Sequence, residues 1–283
     1  MELIASSRIV KAQQRVEASL PYTLELMRAI SAAVSHSSNS KHPLFTTTEN
    51  RKRAAVILIT ADRGLAGAYS SAIIKEGEAL NTLLKEEGVE AKHFLVGRKS
   101  VGFYKFRERP IAASWTGFTD QPTYENAKEI ADTVLQAFKT DTEDGGVDEI
   151  HLVYTHFLNM AVQEVRVRRI LPVEVVEVSE EEAAVKLETK AFPLYDFEPS
   201  AEAVLDALLP RYIENVVYTS LLLAAASEHA ARRRAMKSAS DNAEELIRTL
   251  ARQANQARQA EITQEISEIV GGADALSSAA AGS

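Results

Sequence analysis

The stretch TADRGLAGAYSS, Thr60 to Ser71, has the residue types that a phosphate-binding turn uses. It follows a run of β-branched residues and opens a helical pattern, and the backbone amides at a helix start attract anions. A P-loop would end in GK[ST] and a dinucleotide fingerprint would carry a third glycine; this stretch has neither. Gly64 and Gly67 therefore read first as a tight turn with close helix packing. A nucleotide-dependent α/β enzyme built on this loop is kept as the alternative.

Other chemistry is thinner. The 6 histidines, His36, His42, His93, His151, His156 and His229, show no HExxH pattern and no paired i, i+4 spacing, so no metal or cofactor is expected. DTEDGGVDE, Asp141 to Glu149, lacks the spacing of an EF-hand and reads as a solvated turn before a strand. No grouping of Ser, His and acid stands out, and no catalytic residue is assigned.

Two stretches near the carboxy terminus suit contact rather than catalysis. HAARRRAMKSASDNAEELI, His229 to Ile247, spreads Arg232, Arg233, Arg234 and Lys237 over more than one helix face. Such a run is ordinarily a solvated face. On a helix surrounded by a partner, though, an Arg can dock on carboxylates with two parallel hydrogen bonds. Further on, the apolar seam thins to Leu250, Ala254, Ala257, Ile262, Ile266, Ile269 and Ala273. Burying a Leu or Ile is worth about 2–3 kcal/mol and an alanine methyl much less, so this seam is weakly cored. Gln259, Thr263, Gln264 and Glu265 add hydrogen-bonding groups whose contacts are readily exchanged.

The elements that position these residues fall into three parts. From Glu2 to Ser35 the residues Ile9, Val16, Leu20, Leu24, Met27, Ile30 and Val34 keep helical spacing, with a kink expected at Pro21, and SHSSNSKHP closes the helix. Of the 12 glycines, all but Gly271, Gly272 and Gly282 lie between Gly64 and Gly146. In that region RAAVILIT, AKHFLVG, IAASW, DEIHLVYTHF and VQEVRVRRI read as strands. Helical patterns from Tyr69 to Glu87 and from Tyr124 to Lys139 alternate with them, as in an open α/β sheet. Val178 to Pro193 reads as an acidic loop. Pro199 and Pro210 suit the first turns of helices.

From Arg211 to Val270 there is no Gly or Pro, which makes a helix of roughly 90 Å against roughly 50 Å for the amino-terminal one. Both flank the α/β part, so they are expected to pair antiparallel. The domains expected are residues 1–36, an α/β domain at 53–194, carboxy-terminal helices at 199–275 and a flexible tail at 276–283.

Composition narrows the partners. With 46% hydrophobic and 25% charged residues the chain is ordinary in globular terms, and a formal charge of −8 argues against a general nucleic-acid surface. Proteins are the expected partners. The absence of cysteine excludes disulfides, thiolate zinc sites and a cysteine nucleophile, and a reducing cytosolic setting fits best. No apolar run approaches the roughly 20 residues that cross a bilayer, and the first residues are not a signal peptide; a place on a membrane complex stays open.

ARQAEITQEISEIVGGADA resembles the carboxy-terminal signature of the γ subunit of F-type ATP synthases, I-T-x-E-x-x-[DE]-x-x-x-G-A. The match falls on Ile262, Thr263, Glu265, Glu268, Gly272 and Ala273. MELIASSRIVKAQ, TADRGLAGAYSS, LYDFEPSAEAVLDALLPRYIENVVY and SEHAARRRAMKSASDNAEELI resemble the same family in the same order, so the likeness covers essentially the whole chain. Two departures stand out. The family opens with about two dozen further residues, so Met1 matches an internal methionine, in keeping with the unequal helix lengths. The loop that reads GLCGG in many members is GLAGA here, with Ala66 and Ala68.

The resemblance implies a long antiparallel coiled coil of the terminal helices with an inserted Rossmann-like α/β open-sheet domain. One copy per complex would turn inside the hexamer of α and β subunits. Its α/β domain would rest, with ε, on the membrane ring of c subunits. Proton flow through the ring would turn the shaft and cycle the catalytic sites of the hexamer for ATP synthesis; the shaft itself does no bond chemistry. Carried over by position, Arg232, Gln259 and Thr263 would hydrogen-bond the catch loops of the hexamer, with Glu265 on the same surface, and Tyr195, Phe197 and Glu198 would form the foot on the ring. The expected place is peripheral, on the cytoplasmic face of a bacterial plasma membrane. The lack of cysteine speaks against the dithiol-switched chloroplast form. A plain coiled-coil tether, the remaining alternative, would need neither the signature nor the inserted domain.

Overall fold

The computed structural model describes residues 2–36, 44–45, 51–173, 197–198 and 200–281. The elements run α1 (Glu2–His36), β1 (Arg53–Ile59), α2 (Tyr69–Glu86), β2 (Glu90–Val96), α3 (Arg98–Phe106), β3 (Ala113–Trp115), α4 (Tyr124–Lys139), β4 (Glu149–Phe157), β5 (Gln163–Leu171) and α5 (Ala201–Ala281). Residues 1–235 and 236–283 form two compact units, with α5 contributing to both.

In the first unit the strands form one sheet in the order β3-β2-β1-β4-β5. The pairs β1–β2, β1–β4 and β2–β3 are parallel, and β4–β5 is an antiparallel hairpin. Central β1 is RAAVILI, buried from its second residue on, because a parallel strand covered on both faces needs apolar side chains at every position. Alternate residues then serve two cores. Ala55, Ile57 and Ile59 meet Ile130, Ala131 and Val134 of α4 and Leu209, Ile213 and Val217 of α5. Ala54, Val56 and Leu58 face Ile73, Leu80 and Leu84 of α2 and Tyr104 of α3.

Local chemistry sets several boundaries. Thr123 caps α4 through a reciprocal pair with Asn126, and a helical apolar stripe from Ala127 to Leu135 follows. Gly67 has φ 57°, the left-handed conformation that the turn before α2 demands. The expected turn is therefore there. Close packing through glycine is not, since nothing lies within 4 Å of a Cβ built at Gly67, and one at Gly64 would meet only the end of Lys99 at 3.7 Å.

The terminal helices pair antiparallel within the first unit. Ile9 and Ala12 of α1 pack with Ala226 and Ala230 of α5, and further along α1 Thr23 Oγ1 donates to Asn215 Oδ1 at 2.8 Å. Pro210 lies inside α5 rather than at its start, held between buried Leu209 and Ile213. Helical backbone also continues through Gly271 and Gly272 to Ala281, past the end read from the sequence, because the alanine-rich finish favours helix more than the two glycines disfavour it. The acidic stretch from Val178 to Pro193, Pro199 and the closing segment 37–43 lie outside the described residues.

Candidate functional site

A parallel open sheet binds ligands where strand order reverses, outside the carboxyl ends of its strands. Here that point lies between β1 and β4, and α5 fills it. Tyr69 OH donates to the Ala224 carbonyl at 3.1 Å, and Ser227 Oγ donates to the Thr155 carbonyl at 3.1 Å. Ala231 packs on the α2-side core, Ala226 and Ala230 on Phe157. The turn at Ala66–Tyr69 is closed on itself, with Tyr69 N donating to the Ala66 carbonyl at 3.2 Å. The turn's own hydrogen bond and the anchoring of Tyr69 on α5 fit the structural reading of the loop at Thr60–Ser71.

A buried polar network occupies the crevice instead. Arg232 Nη2 donates to Glu228 Oε1 at 2.6 Å and reaches the Gly64 carbonyl at 3.4 Å, while Arg232 Nη1 reaches His229 Nδ1 at 3.4 Å. His229 Nε2 donates to the Asp120 carbonyl at 3.0 Å, and the Asp120 carboxylate accepts from Arg8 of α1 at 2.5 Å. Burial pushes the Glu228 carboxyl up, against the pull of Arg232, and pushes His229 down. Burial likewise holds the Tyr69 phenol well above its usual value, with Glu228 adding to the rise. These shifts follow from packing between the sheet and α5, where all three side chains are buried.

Asp62, three residues past the end of β1 in TADRG, is the second centre. Its Oδ1 accepts from Arg98 N at 3.1 Å, and its Oδ2 from Gly117 N at 2.7 Å and Thr119 N at 3.1 Å. Its own N–H donates to Thr119 Oγ1 at 2.9 Å. No motif in the sequence marks Asp62, Asp120 or Glu228 as functional. An acid directly after a buried strand was the available signal for Asp62; Asp120 has none, because only tertiary packing brings it to Arg8.

The residues named from the resemblance fall in three places. Arg232 is turned inward and 9% exposed. Gln259, Thr263 and Glu265 are exposed on the second unit, where the described side chains from Leu250 to Ala273 are all exposed. Thr263 Oγ1 donates to the Gln259 carbonyl at 2.8 Å, one turn apart on one face, whereas Glu265 lies roughly 200° round the helix from Thr263. Phe197 is half-buried against the α4-side core and Glu198 is exposed; Tyr195 lies outside the described residues.

An open α/β sheet inserted between two terminal helices, with one of them packed along its crevice, defines the class of protein. The family model described as ATP synthase matches residues 1–276. The chain is 59% identical over 276 residues to the ATP synthase gamma chain of Acidothermus cellulolyticus, covering 98% of this chain and 90% of that one. It is 58% identical over 283 residues to that of Thermobifida fusca, covering 100% and 92%. Among solved structures, the central stalk and c-ring of Tetrahymena thermophila mitochondrial ATP synthase matches with TM-score 0.56 and 25% identity, covering 85% of this chain and 97% of that chain. A chain of the Euglena gracilis mitochondrial ATP synthase shares the fold at TM-score 0.54 and 15% identity. The chain belongs to the ATP synthase gamma chain family.

Proposed function

We propose that this chain is the central rotor shaft of a bacterial F-type ATP synthase, coupling proton-driven rotation of the c-ring to conformational cycling of the catalytic sites in the α/β hexamer. Within the chain, one observation carries the reading. A helix of 81 residues leaves Leu250, Ile262, Ile266 and Ile269 at 53%, 45%, 56% and 72% exposure. Helical stability in proteins comes mainly from covering an apolar face, so such a stretch calls for a surrounding partner. The seam is thin enough to turn against that partner without sticking to it.

In this reading α and β subunits form the sleeve around the second unit, and Gln259 and Thr263 bond it together from one face. Glu265 serves a different side of the helix, which a shaft that presents each face in turn can use. Phe197 and Glu198, with Tyr195, make the foot toward ε and the c-ring. Arg232 acts within the shaft, bracing it on the sheet, before it acts on the hexamer. No described helix is long and apolar enough to cross a membrane, which supports a peripheral position; the cytoplasmic face and one copy per complex follow from the rotor reading. The shaft performs no bond chemistry, and its effect on catalysis is a coupling of distant sites through rigid-body motion.

The test is made on the native complex. The chain should co-purify with ATPase-active α and β subunits from membranes and show no ATPase activity by itself. Its recovery as a free monomer, absent from that complex, would overturn the reading.

A further inference from the structure

Three of the polar contacts between the shaft helices and the sheet crevice end on loops. Arg232 of α5 reaches the Gly64 carbonyl in the β1–α2 loop, His229 reaches the Asp120 carbonyl in the β3–α4 loop, and Arg8 of α1 pairs with the Asp120 carboxylate. A contact transmits force no more stiffly than the segment that bears it, and these segments have no ladder of their own. What joins them is Asp62. Its carboxylate, 7% exposed, gathers one amide from the start of α3 and two from the segment after β3, so that three adjacent loops share one acceptor group.

We propose that Asp62 is a positioning residue for torque transfer: its carboxylate locks together the loops on which Arg8, His229 and Arg232 bear. The proposal rests on the rotor reading and adds to it the place where the globular part grips the shaft. The anion is matched by backbone amides rather than by a close cation, since Arg98 Nε stands 3.9 Å away. That arrangement fixes direction as well as charge, because amide donors hold a carboxylate in a set orientation. Asparagine is nearly the same size but cannot replace it. Its single oxygen satisfies one side of the site, and its NH2 group turns donors toward the remaining donors.

The experiment uses Asp62→Asn in the assembled ATP synthase, read in inverted membrane vesicles as protons pumped per ATP hydrolysed. ATP hydrolysis should stay within about twofold while pumping at matched hydrolysis falls about threefold or more, the range found for residues that carry coupling between sites. Parallel loss of both activities with dissociation of the complex would make Asp62 merely structural and overturn the proposal. So would two unchanged activities. If Asp62→Asn does not assemble, Asp62→Glu, which keeps the charge but displaces it, is read by the same ratio with the same outcomes. Membranes depleted of this chain separate the two levels: pumping as strong without it as with it would refute the rotor reading itself, whatever Asp62 does.

Discussion

Glu228 and Arg232 sit one turn apart on α5 with their charged ends 2.6 Å apart, and their side chains are only 1% and 11% exposed. Two charges withdrawn from water in this way stabilise the fold only while each has the other. The raised Glu228 pKa records that tension: burial favours the neutral acid and Arg232 opposes it. Glu228 Oε2 has no hydrogen-bond partner among the described groups, and Arg232 is the main group that favours the charged acid, with Thr119 adding less.

Removing Arg232 alone should therefore cost more than removing both charges. At pH 7, Arg232→Met is expected to destabilise the chain by about 3–5 kcal/mol, and the double variant Glu228→Gln, Arg232→Met by much less. Chemical unfolding of the full chain, followed by fluorescence of its one tryptophan, Trp115 in β3, measures both. Equal losses in the two variants would show that Glu228 left without Arg232 carries no penalty.

Two glycines make opposite predictions. Gly97 has φ 95°, and a Cβ there would lie 2.3 Å from the Thr60 carbonyl oxygen. Gly97→Ala combines backbone strain with a clash, so a loss of about 2 kcal/mol or more is expected. Gly271 lies inside α5 with nothing within 4 Å of an added Cβ. Gly271→Ala should firm the local helix by about 0.5–1 kcal/mol, read as slower amide exchange in the residues around it.

The helix bounds at Tyr124 and Lys139 were legible because cap and apolar stripe agree there, with Thr123 and Asn126 at one end and buried Ala127, Ile130, Ala131 and Val134 after it. Helix α3 escaped notice for the opposite reason. RKSVGFYKF is only 9 residues long, carries a glycine and buries only Ser100 and Tyr104, so its helical period covers a single repeat. The signature at Ile262–Ala273 is local and could be read directly. The crevice network could not: Gly64 and Arg232 are 168 positions apart, and no pattern in either stretch points to the other. Arg232 looked like one of several surface cations for the same reason, since a run of arginines does not say which of them faces inward.

Acid should weaken the sheet through His93. Its ring is 8% exposed, with Nε2 3.1 Å from Asn81 Oδ1, and its pKa is pushed down from 6.5 to about 4, chiefly by burial. Between those values the unfolded chain binds a proton that the folded chain refuses, so stability rises with pH across this window and falls on acidification. The loss from pH 7 to pH 4 is on the order of 3 kcal/mol for this group. His93→Gln should flatten that part of the pH dependence when unfolding is compared across the range. An unchanged slope would mean that His93 titrates alike in both states.

The exposed end of α5 should separate stability from function. Gln259 and Thr263 make no side-chain contact outside their own helix turn among the described residues, so Gln259→Ala and Thr263→Ala should each leave the chain's own thermal unfolding within about 0.5 kcal/mol. In the assembled synthase the same changes each remove a hydrogen bond to the sleeve, worth about 0.5–1.5 kcal/mol, and should lower ATP hydrolysis about 2- to 10-fold. Because Glu265 faces a different side, its effect should add to theirs rather than replace it, as independent contacts do. Activity of the double variant Gln259→Ala, Glu265→Gln, set against the two single variants, tests this. A double no worse than the stronger single would place both residues in one contact and contradict the helix geometry.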